Sequence, residues 1–280
     1  MKNRSQVLTS IFLITIFVIP SLIAMVIINF SDPAEPETDD HYKIMTYNIH
    51  FGVDSNGIYS VENIVDVVTS SGADIVGIQE ITRASPLNGF GDLGSQLTIE
   101  MEKKGFKYSF IGDYGAQAVR NAIFSKYPME AEVFSLEPVV SYQRTAVKAT
   151  IDIDGNQVVF LVTHVTHINE TTTNSDRVEQ ITNLINLVDT NLPVIIMGDF
   201  NSEPDWPEIQ TFLSAGYLDS WEEANTGGPT LTWPANDPVQ RLDYIFLTNG
   251  TSSSFIPVSS SIIDTKASDH FPVITEIEFV

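Results

Sequence analysis

PVIIMGDFNSEPD, residues 193–205, is a short run of branched and apolar side chains that stops abruptly at an acid. Four apolar residues bounded by Pro193 and Gly198 read as a strand buried on both faces. Asp199 stands where the strand stops. Asn201, two residues on, falls on the same side if the extended trace continues.

The same event recurs along the chain. KIMTY runs into Asn48, DIVGIQ into Glu80 and VVFLVT into His164, while Asp243 precedes YIFLT and Asp269–His270 precede FPVITEIEF. If the last two strands oppose the first four, eight polar groups gather on one rim, on rigid elements, as a catalytic site requires. A single polar strand end is merely the start of a loop. Six that end or begin in Asn, Asp, Glu or His, rather than Lys, Ser or Thr, carry the inference. Of the five histidines, His50, His164, His167 and His270 lie in or beside these ends. His50 and His167 read as structural.

Between the runs, Val61, Ile64, Val65 and Val68 fall at helical spacing, with Ser60 as a cap and Gly72 just past the end. Val178, Ile181, Leu184, Ile185 and Val188 repeat the pattern after Ser175. Ile- and Val-rich strands interspersed with helices predict sheets covered by helices. Several strands follow one another directly, so the sheets must be mixed. The expected class is α/β.

Composition narrows the partners. Fourteen Lys and Arg oppose 36 Asp and Glu, a net charge of −22. From His41 onward the balance is still −19, because only Lys2, Arg4 and five acids precede it. Duplex binding rests heavily on basic contacts to phosphates, so nucleic acid is disfavoured. The chain has no cysteine, which removes disulfides, thiolate zinc sites and cysteine nucleophiles together.

Lys2 and Arg4 precede 22 uncharged residues, 7–28, enough as a helix to cross a hydrocarbon core. Residues 1–30 read as a membrane anchor, with a cleavable signal peptide as the alternative; Leu22 and Ala24 make a poor cleavage motif. Basic residues before the span place the chain downstream of it outside. The protein is then single-pass and extracytoplasmic, or secreted if cleaved. Residues 31–40, SDPAEPETDD, are an acidic linker, and residues 41–280 form one domain.

The strings TYNIHFG, DIVGIQE, RNAIFSKYP, THVTH, MGDFNSEPD, RLDYIF and SDHFPV, in this order, resemble the successive motifs of the endonuclease/exonuclease/phosphatase superfamily. The resemblance covers the chain from about Lys43 to Val280. It implies a four-layer α/β/β/α sandwich with the site at one edge of two packed mixed sheets. It also implies Glu80 as principal metal ligand, with Asn48 beside the metal and Asp269 a further acid. Asp199 is similar to the carboxylate that orients or deprotonates water, and Asn201 to the amide that holds a phosphate oxygen. Asp243 and His270 resemble an Asp–His pair, and His164 a phosphate-contacting histidine. Asn121 and Arg144 lie in stretches the family shares and are candidate substrate contacts.

Oxygen ligands without thiolate suit Mg²⁺ first and Mn²⁺ second. The expected activity is hydrolysis of a phosphodiester or phosphomonoester. The substrate expected from charge and membrane proximity is a phospholipid head group or small phosphoester. A surface nuclease and a non-catalytic phosphate binder are the alternatives. Trp233, close before the strand that opens with Asp243, packs in the core or stacks on substrate.

Overall fold

A computed structural model describes residues 41–115, 118–140, 142–167, 173–224, 227–248 and 255–280. The span at residues 7–28 and the linker at 31–40 lie outside the described residues. Among the described residues no helix is long and apolar enough to cross a membrane.

The first half of the chain supplies β1 (His41–Asn48), α1 (Val61–Ser71), β2 (Ile75–Thr82), α2 (Leu93–Lys103), β3 (Tyr108–Ile111) and β4 (Val119–Ser125). A long hairpin follows, β5 (Met129–Val140) and β6 (Tyr142–Ile153), then β7 (Asn156–His164), α3 (Thr173–Asn186) and β8 (Val194–Asp199). The rest is α4 (Pro207–Ser214), β9 (Tyr217–Asp219), α5 (Ser220–Ala224), β10 (Asp243–Thr248), β11 (Phe255–Ile262) and β12 (Val273–Phe279).

Two six-stranded mixed sheets result, ordered β11-β12-β1-β2-β4-β3 and β5-β6-β7-β8-β10-β9. They share one plan. Each centres on a parallel pair, β1 with β2 and β7 with β8, flanked by antiparallel neighbours. The parallel pairing ends at Asn48 and Gln79 in the first sheet, with Glu80 next along β2 before that strand runs on to Thr82, and at His164 and Asp199 in the second. The antiparallel β10 and β12 begin beside those ends and bring Asp243 and the Asp269–His270 turn to the same edge.

Burial follows the period of two along each strand. Ile44, Ile75, Ile123, Val162, Met197 and Ile245 point inward to the core between the sheets. Alternate residues such as Met45, Val76 and Phe124 meet α1 and α2 outside the first sheet. Leu161, Ile196 and Phe246 meet α3 and α4 outside the second. The layers are therefore α/β/β/α, as expected for the domain. The Ser60 hydroxyl accepts from the Asn63 amide at 3.1 Å to start α1, and Gly72 closes it in the left-handed region at φ 78°. The helix expected after Ser175 is α3, which begins at Thr173. Its amphipathic stripe starts one turn in, so apolar spacing marked only the packed part.

Gly198 is fixed by the approach of β7 to β8. A Cβ there would lie 2.1 Å from the Thr163 carbonyl oxygen. Gly198→Ala is therefore expected to cost about 1–3 kcal/mol or more by forcing the strands apart. The measurement is the urea midpoint, and an unchanged midpoint would contradict this account of the close approach.

Candidate active site

The strand register builds the site's floor. Asp199 sits opposite Asp243 across the β8–β10 pair and beside His164 across β7–β8. Three ionisable side chains thus share one row, on strands about 4.8 Å apart.

Asp199 is 1% exposed, and its carboxylate is held on both oxygens. Oδ2 accepts from Asn48 Nδ2 at 2.9 Å, and Oδ1 accepts from the Asn201 amide at 2.9 Å. Asn48 Oδ1 in turn accepts from the His50 backbone N–H at 3.1 Å. Burial and the Asp243 charge raise the Asp199 pKa to about 7, against the opposing pull of His270.

His270 faces Asp199 with Nε2, 3.8 Å from Oδ2, while its Nδ1 is 2.9 Å from Asp243 Oδ2. Burial alone would lower this imidazole's pKa. The charges of Asp243, Asp199 and Asp269 outweigh burial and raise it to about 10. Ser268 aligns the turn: its hydroxyl donates to the Asn48 carbonyl at 2.8 Å and accepts from the His270 amide at 3.2 Å.

His164 is the opposite case. Burial and the nearby Arg144 guanidinium hold its pKa well below the usual histidine range, so it is neutral. Asn201 Nδ2 donates to His164 Nε2 at 3.0 Å and to the Val165 carbonyl at 3.2 Å. That leaves the proton on Nδ1, which is buried, has no hydrogen-bond partner and lies 3.9 Å from Glu80 Oε1. The Asn201 amide is thus engaged with His164, and the unpaired donor is the imidazole N–H.

Glu80 reaches the site through an irregularity. The β2–β4 register shifts between Ile78 and Ile81, and Glu80 has φ 64°. Its Oε2 is buried without a partner, and burial together with Asp269 raises its pKa, opposed by His270. A paired-off carboxylate would not be left so. An orphaned carboxylate oxygen facing a second acid and an amide fits a hard divalent cation. Asp199, Asp243 and His270 also place ligand atoms within 4.8 Å of one another. There the short His270–Asp243 bond commits the imidazole as a donor, and an imidazolium does not ligate a cation. Asp243 Oδ1 is buried without a partner as well, so an unpaired carboxylate oxygen stands at both corners.

These groups line a cleft of about 490 Å³ with Glu80, His164, Asp199, Asn201, Asp269 and His270 among its walls. Asn48 and Asp243 lie just beneath, 1% and 0% exposed. Trp233 is a wall residue whose Nε1–H donates to Asp269 Oδ2 at 3.4 Å. Arg144 stands behind the wall, its Nη2 3.1 Å from His167 Nδ1. Asn121 stays out of the cleft and donates to the Thr145 carbonyl at 2.8 Å, stitching the two sheets.

His50 and His167, read as structural, also line the cleft. So do Arg177 and Trp206, which sequence reasoning missed. Arg177 is buried, donates from Nε to Glu208 Oε1 at 2.7 Å and lies 5.5 Å over the Trp206 ring. An Arg at the start of an amphipathic helix and a Trp in a loop gave no periodic signal. Only the tertiary contact unites them.

A buried carboxylate raised toward neutrality, an imidazole held by Asp243 and an acid with one unpaired oxygen suit phosphate-ester chemistry. Residues 45–270 match the model of the Endonuclease/Exonuclease/phosphatase family, and the chain belongs to that family. Its members are hydrolases of phosphoester bonds, and the family is metal-dependent. The chain is 26% identical to the uncharacterized Escherichia coli K12 protein YbhP over 260 residues, covering 84% of this chain and 96% of that one. An endonuclease/exonuclease/phosphatase from Beutenbergia cavernae shares the fold at TM-score 0.69 and 21% identity, over 85% of this chain and 72% of that one. A mannosyl-6-phosphatase from Bacteroides thetaiotaomicron does so at TM-score 0.67 and 20% identity, over 85% and 100%.

Proposed function

We propose that this chain is an extracytoplasmic, membrane-anchored phosphoesterase, dependent on Mg²⁺ or Mn²⁺, that hydrolyses a small phosphoester or a phospholipid head group. The observation that carries the substrate class is the cleft. About 490 Å³ admits one head group or phosphorylated sugar. Apart from its histidines, the only basic side chain among the described residues that line it is Arg177, already paired with Glu208. A nuclease needs a basic face wider than one phosphate. The phosphosugar substrate named for the Bacteroides relative is of the same size class.

In this reading Asp199 takes the proton of the attacking water, since its raised pKa keeps it a competent acceptor near neutral pH. Protonated His270 donates from Nε2 to a phosphoryl oxygen, and neutral His164 offers Nδ1–H to another. Glu80 would hold the cation, with Asn48 and Asp269 beside it. When bound, the cation supplies charge neutralisation at the phosphoryl group. Trp233 and Trp206 form the walls against which the rest of the substrate packs.

A hydrolysis screen tests the proposal: bis-p-nitrophenyl phosphate, phosphorylated sugars, inositol phosphates, phospholipids, RNA and plasmid DNA, each with Mg²⁺. Nucleic acid as the preferred substrate would overturn the substrate class. Chelation is expected to abolish activity and Mg²⁺ or Mn²⁺ to restore it. Glu80→Gln should raise the metal concentration needed for half-restoration by roughly 10–100-fold, the usual scale for weakening a metal site. Full activity in excess chelator would remove the cation from the mechanism. Protease accessibility of the domain on intact cells tests its placement outside.

A further inference from the structure

The loops around the cleft end in apolar tips. We propose that this rim docks on an electrically neutral phospholipid bilayer, with the cleft opening toward the head groups. The inference rests on the proposed anchoring of the domain close to a membrane.

The strand directions put the β1–α1, β2–α2, β3–β4 and β5–β6 connections and the segment before β10 at the edge that carries the site. Their tips expose Phe90 (70%), Val239 (61%), Ile58 (60%) and Val139 (50%), with Tyr114 and Leu231 also exposed. Elsewhere among the described residues Ile99, Tyr108, Leu213, Ile256, Val258 and Val280 are exposed too, of which only Ile99 and Val280 are at least half exposed, against four at this edge. Exposed apolar residues ordinarily scatter singly, so several on loops at one edge point to a contact surface. The Val239 amide donates to the Trp233 carbonyl at 2.9 Å, so this tip stands directly beside the cleft wall. Ile58 closes the loop that begins at His50 and Phe51, both lining residues.

The choice of a bilayer as occupant is argued from the sequence ahead of β1. Residues 7–28 are uncharged, and twelve residues, 29–40, separate them from β1. β1 starts at the opposite edge, and its eight residues run about 26 Å to the site. Twelve extended residues reach about 40 Å, so an anchored domain has enough tether to lay its rim on the bilayer. Charge selects the lipid. Asp113, beside Tyr114, is paired with Arg83 and Arg120, whereas Glu137 and Asp237 are exposed beside Val139 and Val239. With the domain's net charge of −19, they repel an anionic surface and leave apolar insertion into a neutral one.

The absence of cysteine makes the test direct. Full-length protein is reconstituted in phosphatidylcholine vesicles with a polarity-sensitive label on Phe90→Cys, Val239→Cys or, at the far end of α4, Leu213→Cys. Labels at 90 and 239 are expected to shift to the blue and be quenched by a bilayer-resident quencher, and the label at 213 is not. A shift at 213, or none at 90 and 239, overturns the docking. With the label on Ile58→Cys, combining Phe90→Asp and Val239→Asp should lower quenching roughly tenfold, the scale of one large apolar side chain withdrawn. Hydrolysis of bis-p-nitrophenyl phosphate in detergent should be unchanged. Unreduced quenching in that variant counts against the rim. Equal quenching in phosphatidylglycerol vesicles overturns the choice of a neutral surface. A protein that leaves the vesicles has failed the anchor reading instead, and no shift when vesicles are added back then overturns docking as well. The label is read without turnover, so an incorrect substrate class leaves these results intact.

Discussion

Asp199→Asn is expected to lower kcat by about 10²–10⁴-fold with KM little changed, the loss that attends removal of a positioned general base. The substitution keeps the volume and lets the side-chain oxygen at Oδ1 still accept from the Asn201 amide, but it puts an NH₂ against the Asn48 Nδ2 donor where Oδ2 stood. It removes the only carboxylate that Asn48, Asn201, His164 and His270 jointly surround. Stability should move little. The folded-state pKa of Asp199 lies above its unfolded value, so the ionised form is penalised by folding at neutral pH. In chelated protein, Asp199→Asn relieves that penalty but loses the Asn48 bond and a charge facing His270, so the urea midpoint should change little. A large fall in both midpoint and rate would show that Asp199 braces the floor rather than serving the chemistry.

Much of this floor was legible because one strand needs little context. An apolar run that stops at Asn48, His164 or Asp199 declares both the strand and the edge on which its polar end stands. That Asp243 and Asp269–His270 would join them required only that β10 and β12 run the opposite way, as they do. Other features depend on contacts that no local pattern encodes. Glu80 enters the cleft through a register shift and a positive φ, invisible in the apolar run of DIVGIQE. Asn201 has its amide committed to His164 and Val165, so its role in the fold is to set the imidazole's tautomer. Asn121 lies in a family motif yet bonds a carbonyl of the facing sheet, a consequence of how the two sheets stack. Arg177 and Trp206 come from different elements, and only the packing of α3 against α4 makes them neighbours.

Asp243 and His270 are expected to behave as one unit. His270→Ala and Asp243→Ala should each lower kcat by about 10²-fold or more, and the double variant should lose clearly less than the product of the two. The pH profile gives the independent reading. Asp199 must be ionised, so the rate rises as pH climbs through about 7, with that limb moved lower by a bound cation's positive charge. His270 must be protonated, so the rate falls as pH rises through about 10. The same raised pKa makes the imidazolium stabilising below its unfolded value of about 6.5 and progressively less so as pH passes about 10. Removing Asp243 takes away a charge that raises both groups. Asp243→Ala should therefore move both limbs down, the alkaline one into the range below pH 10 where it is easily measured. A purely structural Asp243 would lower the urea midpoint and leave the limbs in place. Full additivity in the double variant with an unmoved alkaline limb would refute the pair, and the Glu80 corner would stand without it.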